Sequence, residues 1–528
     1  MSPPRKRRLG AILGKGESMS LESVPLQSAP TALEASGAAN ALPLCVDLDG
    51  TLVKSDTLVD SVVVLARQNF RTLLQFPRWL MQGKAAFKRN VSTVVQLDVA
   101  HLPYNQPLVE YLRAQHAAGR EIYLATGADQ QLAERVAAHL GLFSGVLASD
   151  GQTNLTGRNK LDSFQQRFPT GFSYIGNARV DLPLLTHCID PMVANPDRGL
   201  RSGLRSAGIE AVRTFSDSAS PVKSWLRAIR LHQWAKNTLI FLPLLLAHVR
   251  TAGPVLAAFL AFLSFGLAAS ATYLFNDLLD LEADRHHPRK RARPFAAGEI
   301  SPIAGVVTSV LFLASSLAIA CLLPRALLAL SPQFLGNGQG SFLQWLVIYA
   351  ISTTAYSLRL KRMVLVDVVV LSGLYTIRIL AGSAASGVMV SPWLAAFSIF
   401  FFLSLAFVKR FAELESMRLR NLTAGPVAVK GRGYRISDLE QLRSFGTASG
   451  YSSVVVFSLY IGNEVAQNLY QHDVRLWLLV PVLLLWLSRL WLQAARGELH
   501  EDPVVYAITD KRSLQLGVLV VAIVLSAL

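Results

Sequence analysis

Asn276-Asp277-Leu278-Leu279-Asp280-Leu281-Glu282-Ala283-Asp284 closes an apolar stretch and opens a basic run, Arg285-His286-His287-Pro288-Arg289-Lys290-Arg291-Ala292-Arg293. The apolar stretch before it is long enough for a membrane-spanning helix, which needs roughly 20 residues. Continued as a helix, the run puts Asn276, Asp280 and Asp284 on one face, and Asp277, Asp280 and Asp284 likewise. Carboxylates stacked this closely repel one another unless a cation neutralises them. Oxygen ligands suit Mg2+, which typically joins a few carboxylates to substrate phosphates. Arg285, Lys290 and Arg291 then offer cations for phosphate oxygens, and metal and cations together stabilise charge developing on a phosphate leaving group. The run predicts a magnesium-dependent transferase site at the end of a membrane helix.

The rest of the chain fits that setting. Of 528 residues only 16% are charged and 52% are hydrophobic, and the apolar residues concentrate after about Thr238. Nine stretches there are candidates to cross a bilayer, centred near Leu244, Leu263, Leu313, Ile348, Leu374, Phe401, Val456, Leu483 and Val520. Connections over 285–293, 359–362, 409–435 and 496–512 are rich in Lys and Arg, whereas those near Gly338, Gly387 and His472 are not. By the positive-inside rule the basic loops are cytoplasmic. Nine spans then place every polar motif inside and the C-terminus outside. The net charge of +16 lies largely in these loops. That points to membrane lipid and phosphorylated substrates and away from nucleic acid. Cys45, Cys188 and Cys321 have no metal-ligand spacing. The basic N-terminus, Pro3 to Arg8, lacks the apolar core of a signal peptide and reads as a tail that touches anionic headgroups.

Ahead of the spans the pattern is different. Leu44-Cys45-Val46, Ile122-Tyr123-Leu124 and Phe172-Ser173-Tyr174-Ile175 each run into a polar or Gly-containing loop, as strands of a parallel α/β sheet do. Residues 58–99 are helical and could cap the carboxyl ends of those strands. The first strand leads into Val46-Asp47-Leu48-Asp49-Gly50-Thr51-Leu52. One carboxylate there can attack phosphorus and a second can protonate the leaving group. The predicted organisation is a tail over 1–40, an α/β domain over 41–216, a linker over 217–236 and an all-α membrane domain over 237–528.

Asn276-Asp277-x-x-Asp280-x-x-x-Asp284, with Arg285-x-His287-Pro288-x-Lys290-Arg291-x-Arg293-Pro294, resembles the first Asp-rich motif of the UbiA superfamily of intramembrane prenyltransferases. Members that prenylate aromatic rings carry a second Asp-rich cluster near the sixth span, where this chain reads Phe407-Val408-Lys409-Arg410-Phe411-Ala412-Glu413. The segments 230–237 and 356–361, together with Arg378, resemble instead the decaprenyl-phosphate phosphoribosyltransferases. That resemblance implies phosphoribosyl diphosphate as donor and a polyprenyl phosphate as acceptor. It implies Mg2+ on Asp277, Asp280 and Asp284, and Asn276 as a neutral ligand or hydrogen-bond partner. Lys236, Arg285, Lys290, Arg291, Lys361 and Arg378 would bind phosphates, and Lys409 and Arg410 the acceptor's phosphate. A quinone-type aromatic prenyltransferase is the alternative. A lipid-binding or transport protein would instead carry broken helices at the bilayer midplane.

The Asp47 loop is similar to motif one of the haloacid dehalogenase superfamily, with Thr126, Lys160 and Gly176-Asn177-x-x-x-Asp181 where its later motifs fall. The likeness implies a Rossmann-like α/β domain with a helical cap. It implies Asp47 as nucleophile, Asp49 as general acid/base, Thr126 and Lys160 as phosphate binders, and a second Mg2+ held by Asp47, Asp49 and Asp181. The first acidic position of the last motif is Asn177, which costs that site one negative charge. The two resemblances together imply a fusion that makes a polyprenyl-phosphate 5-phosphoribose and then removes its 5-phosphate, in an oligomeric state left open.

Overall fold

The computed structural model describes residues 42–217, 219–424, 433–463, 469–499 and 503–528. The tail expected over 1–40 lies outside the described residues. The N-terminal domain is built on six parallel strands, β1 (Leu44–Val46), β2 (Ile122–Asp129), β3 (Gly145–Ser149), β4 (Ser173–Gly176), β5 (Asp190–Ala194) and β6 (Arg213–Phe215), in the order β3-β2-β1-β4-β5-β6. β1 is central and buried on both faces: Leu44 and Val46 join one apolar layer and Cys45 the other. That two-sided burial explains its unbroken apolar run.

Between β1 and β2 the chain is helical, as expected, with α1 (Thr57–Gln68), a 3-10 segment Phe70–Gln75 running into the short helix Phe76–Met81, and α2 (Lys84–Val94). Asp56 caps α1, its carboxylate accepting from the amides of Leu58 and Val59, the usual way to satisfy a helix's first orphan donors. α3 (Arg158–Arg167) leads into β4 and carries Lys160.

The membrane domain consists of α4 (Ala252–Leu279), α5 (Leu281–His286), α6 (Pro302–Leu330), α7 (Phe342–Leu358), α8 (Val366–Ser386), α9 (Pro392–Ala424), α10 (Leu439–Ile461), α11 (Leu479–Ala495) and α12 (Lys511–Ala527). Five helices are long and apolar enough to cross a bilayer: Ala252–Leu279, Pro302–Leu330, Val366–Ser386, Pro392–Leu419 and Asp473–Ala495. α4 and α8 are the more enclosed, whereas α6 shows much of its apolar surface, including Val306, Val310 and Leu311, to the outside. Apolar residues on every side are what a helix in lipid requires. The stretch around Leu244 is not one α-helix. Leu231–Phe241 is a run of tight 3-10 turns that leads into the short helix Leu242–Leu246. Pro243, which has no amide proton, marks the change. Trp234 anchors this segment: its ring lies over Gly266, where a Cβ would come within 2.7 Å, and its Nε1 donates to Ser270 Oγ at 3.0 Å.

The two domains meet along α1. Val63 packs into a cluster with Leu274, Leu278, Leu281, Phe295 and Ile300 of the membrane domain. Beside it Asp60 and Arg285 form an ion pair at 2.7 Å that is almost fully buried. At the edge, His101 Nδ1 and His286 Nε2 each lie 2.7 Å from one oxygen of Asp98.

Candidate active sites

The N-terminal site lies at the carboxyl end of β1. The chain turns there through Gly50, whose φ of +75° favours glycine and whose absent Cβ leaves room for the Asn177 side chain. Lys160 Nζ donates to Asp47 Oδ1 at 2.6 Å and to the Tyr174 hydroxyl at 2.9 Å, and Tyr174 in turn donates to Asp181 Oδ1 at 2.8 Å. Asp181 Oδ2 accepts from the amides of Asn177 and Ala178. Asn177 Oδ1 accepts from Thr51 Oγ1, so the residue that departs from the acidic pattern is a hydrogen-bond partner of the Asp47 loop. Thr126 is fully buried within β2, which runs on past the expected strand end at Ala125, and its hydroxyl accepts from the Ala128 amide.

Burial lifts the Asp47 carboxyl to about 6, with Lys160 opposing the rise and Asp181 adding to it. Asp49 is pushed up to about 7 by burial and the nearby Asp56, against the Thr57 amide donating to its Oδ1 at 2.8 Å. Burial thus holds both carboxyls above the ordinary carboxylate range, which suits a site where a carboxyl must carry a proton. The donor set also fits a divalent cation. Asp47 accepts from Lys160 and Asp181 from Tyr174, and each carboxylate keeps lone pairs beyond the bonds named. Sequence reasoning missed Lys88. This cap lysine donates to the Gly127 carbonyl at 2.6 Å and to Asn154 Oδ1 at 2.9 Å. Burial lowers its pKa, while Asp49, Asp56 and Asp47 oppose the shift. Only its position in the folded cap distinguishes it from the other basic residues there.

The membrane site surrounds a cavity of about 690 Å³ at the end of α4. Asn276, Asp277, Asp280, Lys236, Lys290, Lys361, Arg378, Lys409 and Arg410 all line it. Asp284, Arg285 and Arg291 do not. The ladder is not one straight helix: α4 ends at Leu279, Asp280 caps it, and α5 begins. Asp277 and Asp284 are buried and joined by Arg293, whose Nη1 reaches them at 3.0 and 2.7 Å, while Arg230 donates to Asp277 at 2.5 Å. Burial raises the Asp284 carboxyl, against Arg293 and Lys290. The Arg293 guanidinium shows that one positive group can satisfy Asp277 and Asp284 together, so these residues fit a metal ion. Asn276 donates its amide to Ser357 Oγ at 2.8 Å, which leaves its carbonyl oxygen for the cavity.

Arg285, expected to bind phosphate, is turned the other way, onto Asp60, Ser55 and the Ala296 carbonyl. Its charge is already satisfied by a buried carboxylate. Arg378 sits within α8 and donates to Asn237 Oδ1 at 2.8 Å, to the Leu374 carbonyl and to the Tyr349 hydroxyl. Arg410 is held by Asp367 and Glu413, each at 2.5 Å, and by the Tyr356 hydroxyl. Two carboxylates therefore do meet near the sixth predicted span, but Asp367 comes from α8, distant in sequence, and a guanidinium already lies between them. Arg230 and Arg293 were visible in the sequence as members of basic segments, without a signal that set them apart.

Two family models match the chain: the UbiA prenyltransferase family over residues 238–509 and haloacid dehalogenase-like hydrolase over 44–186. The uncharacterized protein y4nM of Sinorhizobium fredii is 39% identical over 91% of this chain and 90% of its own length. A decaprenyl-phosphate phosphoribosyltransferase of Mycobacterium tuberculosis is 35% identical over 37% of this chain and 62% of its own length. Among solved structures, a UbiA homolog from Archaeoglobus fulgidus bound to GPP and Mg2+ is 17% identical and covers 58% of this chain and 99% of its own, with a TM-score of 0.41.

Proposed function

Because the chain belongs to the UbiA prenyltransferase family and carries a haloacid dehalogenase-like domain ahead of it, we propose that it makes and then trims a lipid-linked sugar phosphate. On this reading the membrane domain transfers 5-phosphoribose from phosphoribosyl diphosphate to a polyprenyl phosphate, and the N-terminal domain removes the 5-phosphate. The supporting observation is the charge of the cavity. Ten basic side chains and two carboxylates line it, and Arg378, inside a span, has only neutral partners among the described residues. A buried arginine without a counter-ion favours an anionic ligand. Phosphoribosyl diphosphate and a lipid phosphate bring anions at both ends of the sugar and on the acceptor, whereas ring prenylation brings one diphosphate.

In the transfer, an oxygen of the lipid phosphate attacks C1 of the ribose as the C1–O bond to diphosphate breaks. Asp277, Asp280 and Asp284, with the Asn276 carbonyl, would hold Mg2+, which when bound neutralises the departing diphosphate. Lys236, Lys290, Lys361 and Arg378 hold the donor's phosphates. Lys409 and Arg410 face the acceptor's head, and Arg291 stands outside the cavity. In the N-terminal domain Asp47 attacks the 5-phosphate while Asp49 gives its proton to the departing sugar oxygen. Asp49 then takes a proton from the water that releases phosphate from Asp47. Thr126 and Lys160 bind the phosphate oxygens, and Asp181, with Asp47 and the Asp49 backbone, would hold a second Mg2+.

Nine crossings follow if Leu231–Leu246, Phe342–Leu358, Leu439–Ile461 and Lys511–Ala527 are added to the five long helices. The basic loops then place the N-terminal domain and both sites in the cytoplasm and the C-terminus outside. The test is product analysis by mass after mixing purified protein, Mg2+, polyprenyl phosphate and phosphoribosyl diphosphate. Lipid-linked ribose should form with the intact protein and not with Asp277→Ala; its absence from the intact protein would remove the proposal.

A further inference from the structure

α1 touches both sites. At its first residue the Thr57 amide donates to Asp49 Oδ1 at 2.8 Å. Its Val64 and Leu65 pack into the core of the N-terminal domain. Asp60, Val63 and Arg67, spaced i, i+3, i+7 on one face, turn to the membrane domain instead. Asp60 is pinned by Arg285, and Val63 is packed between them and the end of α4.

Arg67, in the last turn of α1, reaches the rim of the transferase cavity and lines it. Its Nη1 donates to the Leu279 carbonyl at 2.7 Å and lies 2.9 Å from Asp280 Oδ1. That carbonyl belongs to the last turn of α4, where helix C=O groups lack intrahelical partners and the dipole is negative. A guanidinium has five N–H donors in a planar fork. Among the described residues only Nη1 of Arg67 has a partner, and the side chain is 39% exposed. The remaining donors of the fork have no partner among the described residues, and Arg67 lines the cavity beside one of the carboxylates of the ladder. An arginine fork is well suited to the oxygens of a phosphate.

We propose that the N-terminal domain completes the anion-binding wall of the membrane site, with Arg67 binding the diphosphate group of the donor. The inference rests on the reading of that cavity as a site for a sugar diphosphate. A cation held by Asp280 would weaken its pairing with Arg67, leaving the charge of the guanidinium to the diphosphate. Arg285 and Asp60 act as positioning residues, because they fix the angle at which α1 delivers Arg67.

The test uses the full chain in detergent micelles. Inorganic pyrophosphate is titrated calorimetrically in the presence of Mg2+ against the intact protein, Arg67→Gln and Arg67→Lys. Lys keeps a charged donor within reach of the Leu279 carbonyl, so a residue that merely docks the domains would tolerate Arg67→Lys fully. Arg67→Gln is expected to weaken pyrophosphate binding about tenfold or more, and Arg67→Lys, which restores charge without the fork, to recover part of that loss. In transfer assays Arg67→Gln should raise KM for phosphoribosyl diphosphate more than it lowers kcat, and leave KM for the lipid phosphate unchanged. Equal pyrophosphate affinity in Arg67→Gln and the intact protein would overturn the inference. Tight pyrophosphate binding with no transfer from phosphoribosyl diphosphate would overturn the donor assignment and leave the role of Arg67 standing.

Discussion

The Asp60–Arg285 pair permits a quantitative test of how the two domains are joined. Its side chains are 0% and 6% exposed and meet at 2.7 Å. Removing one partner of a buried pair strands the other charge and costs about 3–5 kcal/mol, whereas replacing both by apolar groups is often nearly neutral. The two single substitutions are not equivalent. In Asp60→Leu, Arg285 keeps the Ser55 hydroxyl at 3.2 Å and the Ala296 carbonyl at 3.3 Å. In Arg285→Met, Asp60 keeps only the Ser55 hydroxyl at 2.6 Å, and its Oδ1 has no donor. Burial already pushes the Asp60 carboxyl up against the pull of Arg285, and losing that arginine raises it further. The folded chain then retains a proton that the unfolded chain has released. Stability of Arg285→Met should therefore fall as pH rises from the unfolded carboxyl's value near 4 toward the folded one, by about 1.4 kcal/mol per pH unit. Below that window the penalty disappears. Equilibrium denaturation of the full chain in mixed micelles, followed by tryptophan fluorescence near pH 5 and pH 8, measures it. The double variant should be more stable than the sum of the single costs implies, by at least about 2 kcal/mol. Additive costs, or an Arg285→Met variant indifferent to pH, would refute a buried ionic joint.

Asp47→Asn should leave lipid-linked ribose formation intact but retain the 5-phosphate, detected as a persistent mass difference in the product; release of phosphate by this variant would exclude Asp47 as nucleophile. Because Asp49 is pushed up to about 7 and must be protonated to act as an acid, hydrolysis of an alkyl phosphate should decline as pH rises through about 7. Asp49→Asn should have little residual rate and no such limb in a pH–rate profile. Arg378→Met removes a charge-assisted contact, generally worth about 1.5–3 kcal/mol, so kcat/KM for transfer should drop roughly ten- to hundredfold, while Trp fluorescence reports an unchanged fold.

What the sequence made legible is local. Asp47 and Asp49 sit two apart at a strand's end, and the alternation of Cys45 against Leu44 and Val46 is written into three residues. Asn276, Asp277 and Asp280 likewise fall at the end of one helix, so their common place at the cavity follows from helical spacing. What was not legible is partnership across long separations. Arg285 stands in a basic run that looks made for phosphate, yet Asp60, from the other domain, takes its charge. Arg67 looks like an ordinary helix-terminal arginine until α1 is laid against Leu279 and Asp280. Asp367 and Glu413 become a pair only when α8 and α9 pack. The stretch around Leu244 differs for another reason: hydropathy does not encode the 3-10 turns and the Pro243 junction that shape its backbone.

The order of the two proposed reactions places a demand on the cap. The 5-phosphate is useful to the transferase as long as it anchors the donor among cations such as Lys361 and Arg378. After transfer the same group keeps the product in that cavity through the same charge-assisted contacts. Hydrolysis removes those contacts, clears the cavity and draws the transfer forward. Free phosphoribosyl diphosphate carries an identical 5-phosphate, however, and an N-terminal domain that cleaved it first would deprive the transferase of its handle. Discrimination must then come from what the two molecules do not share. The donor has a diphosphate that Asp49, Asp56 and Asp47 repel, and the product has a lipid anchored at the membrane. Thr57, at one site, and Arg67, at the other, are ten residues apart on α1, about 15 Å along its axis. That distance can be crossed by the head of an anchored lipid turning beneath the cap, so the product is presented to Asp47 at high local concentration while the donor, held by Arg67 and its neighbours, is not.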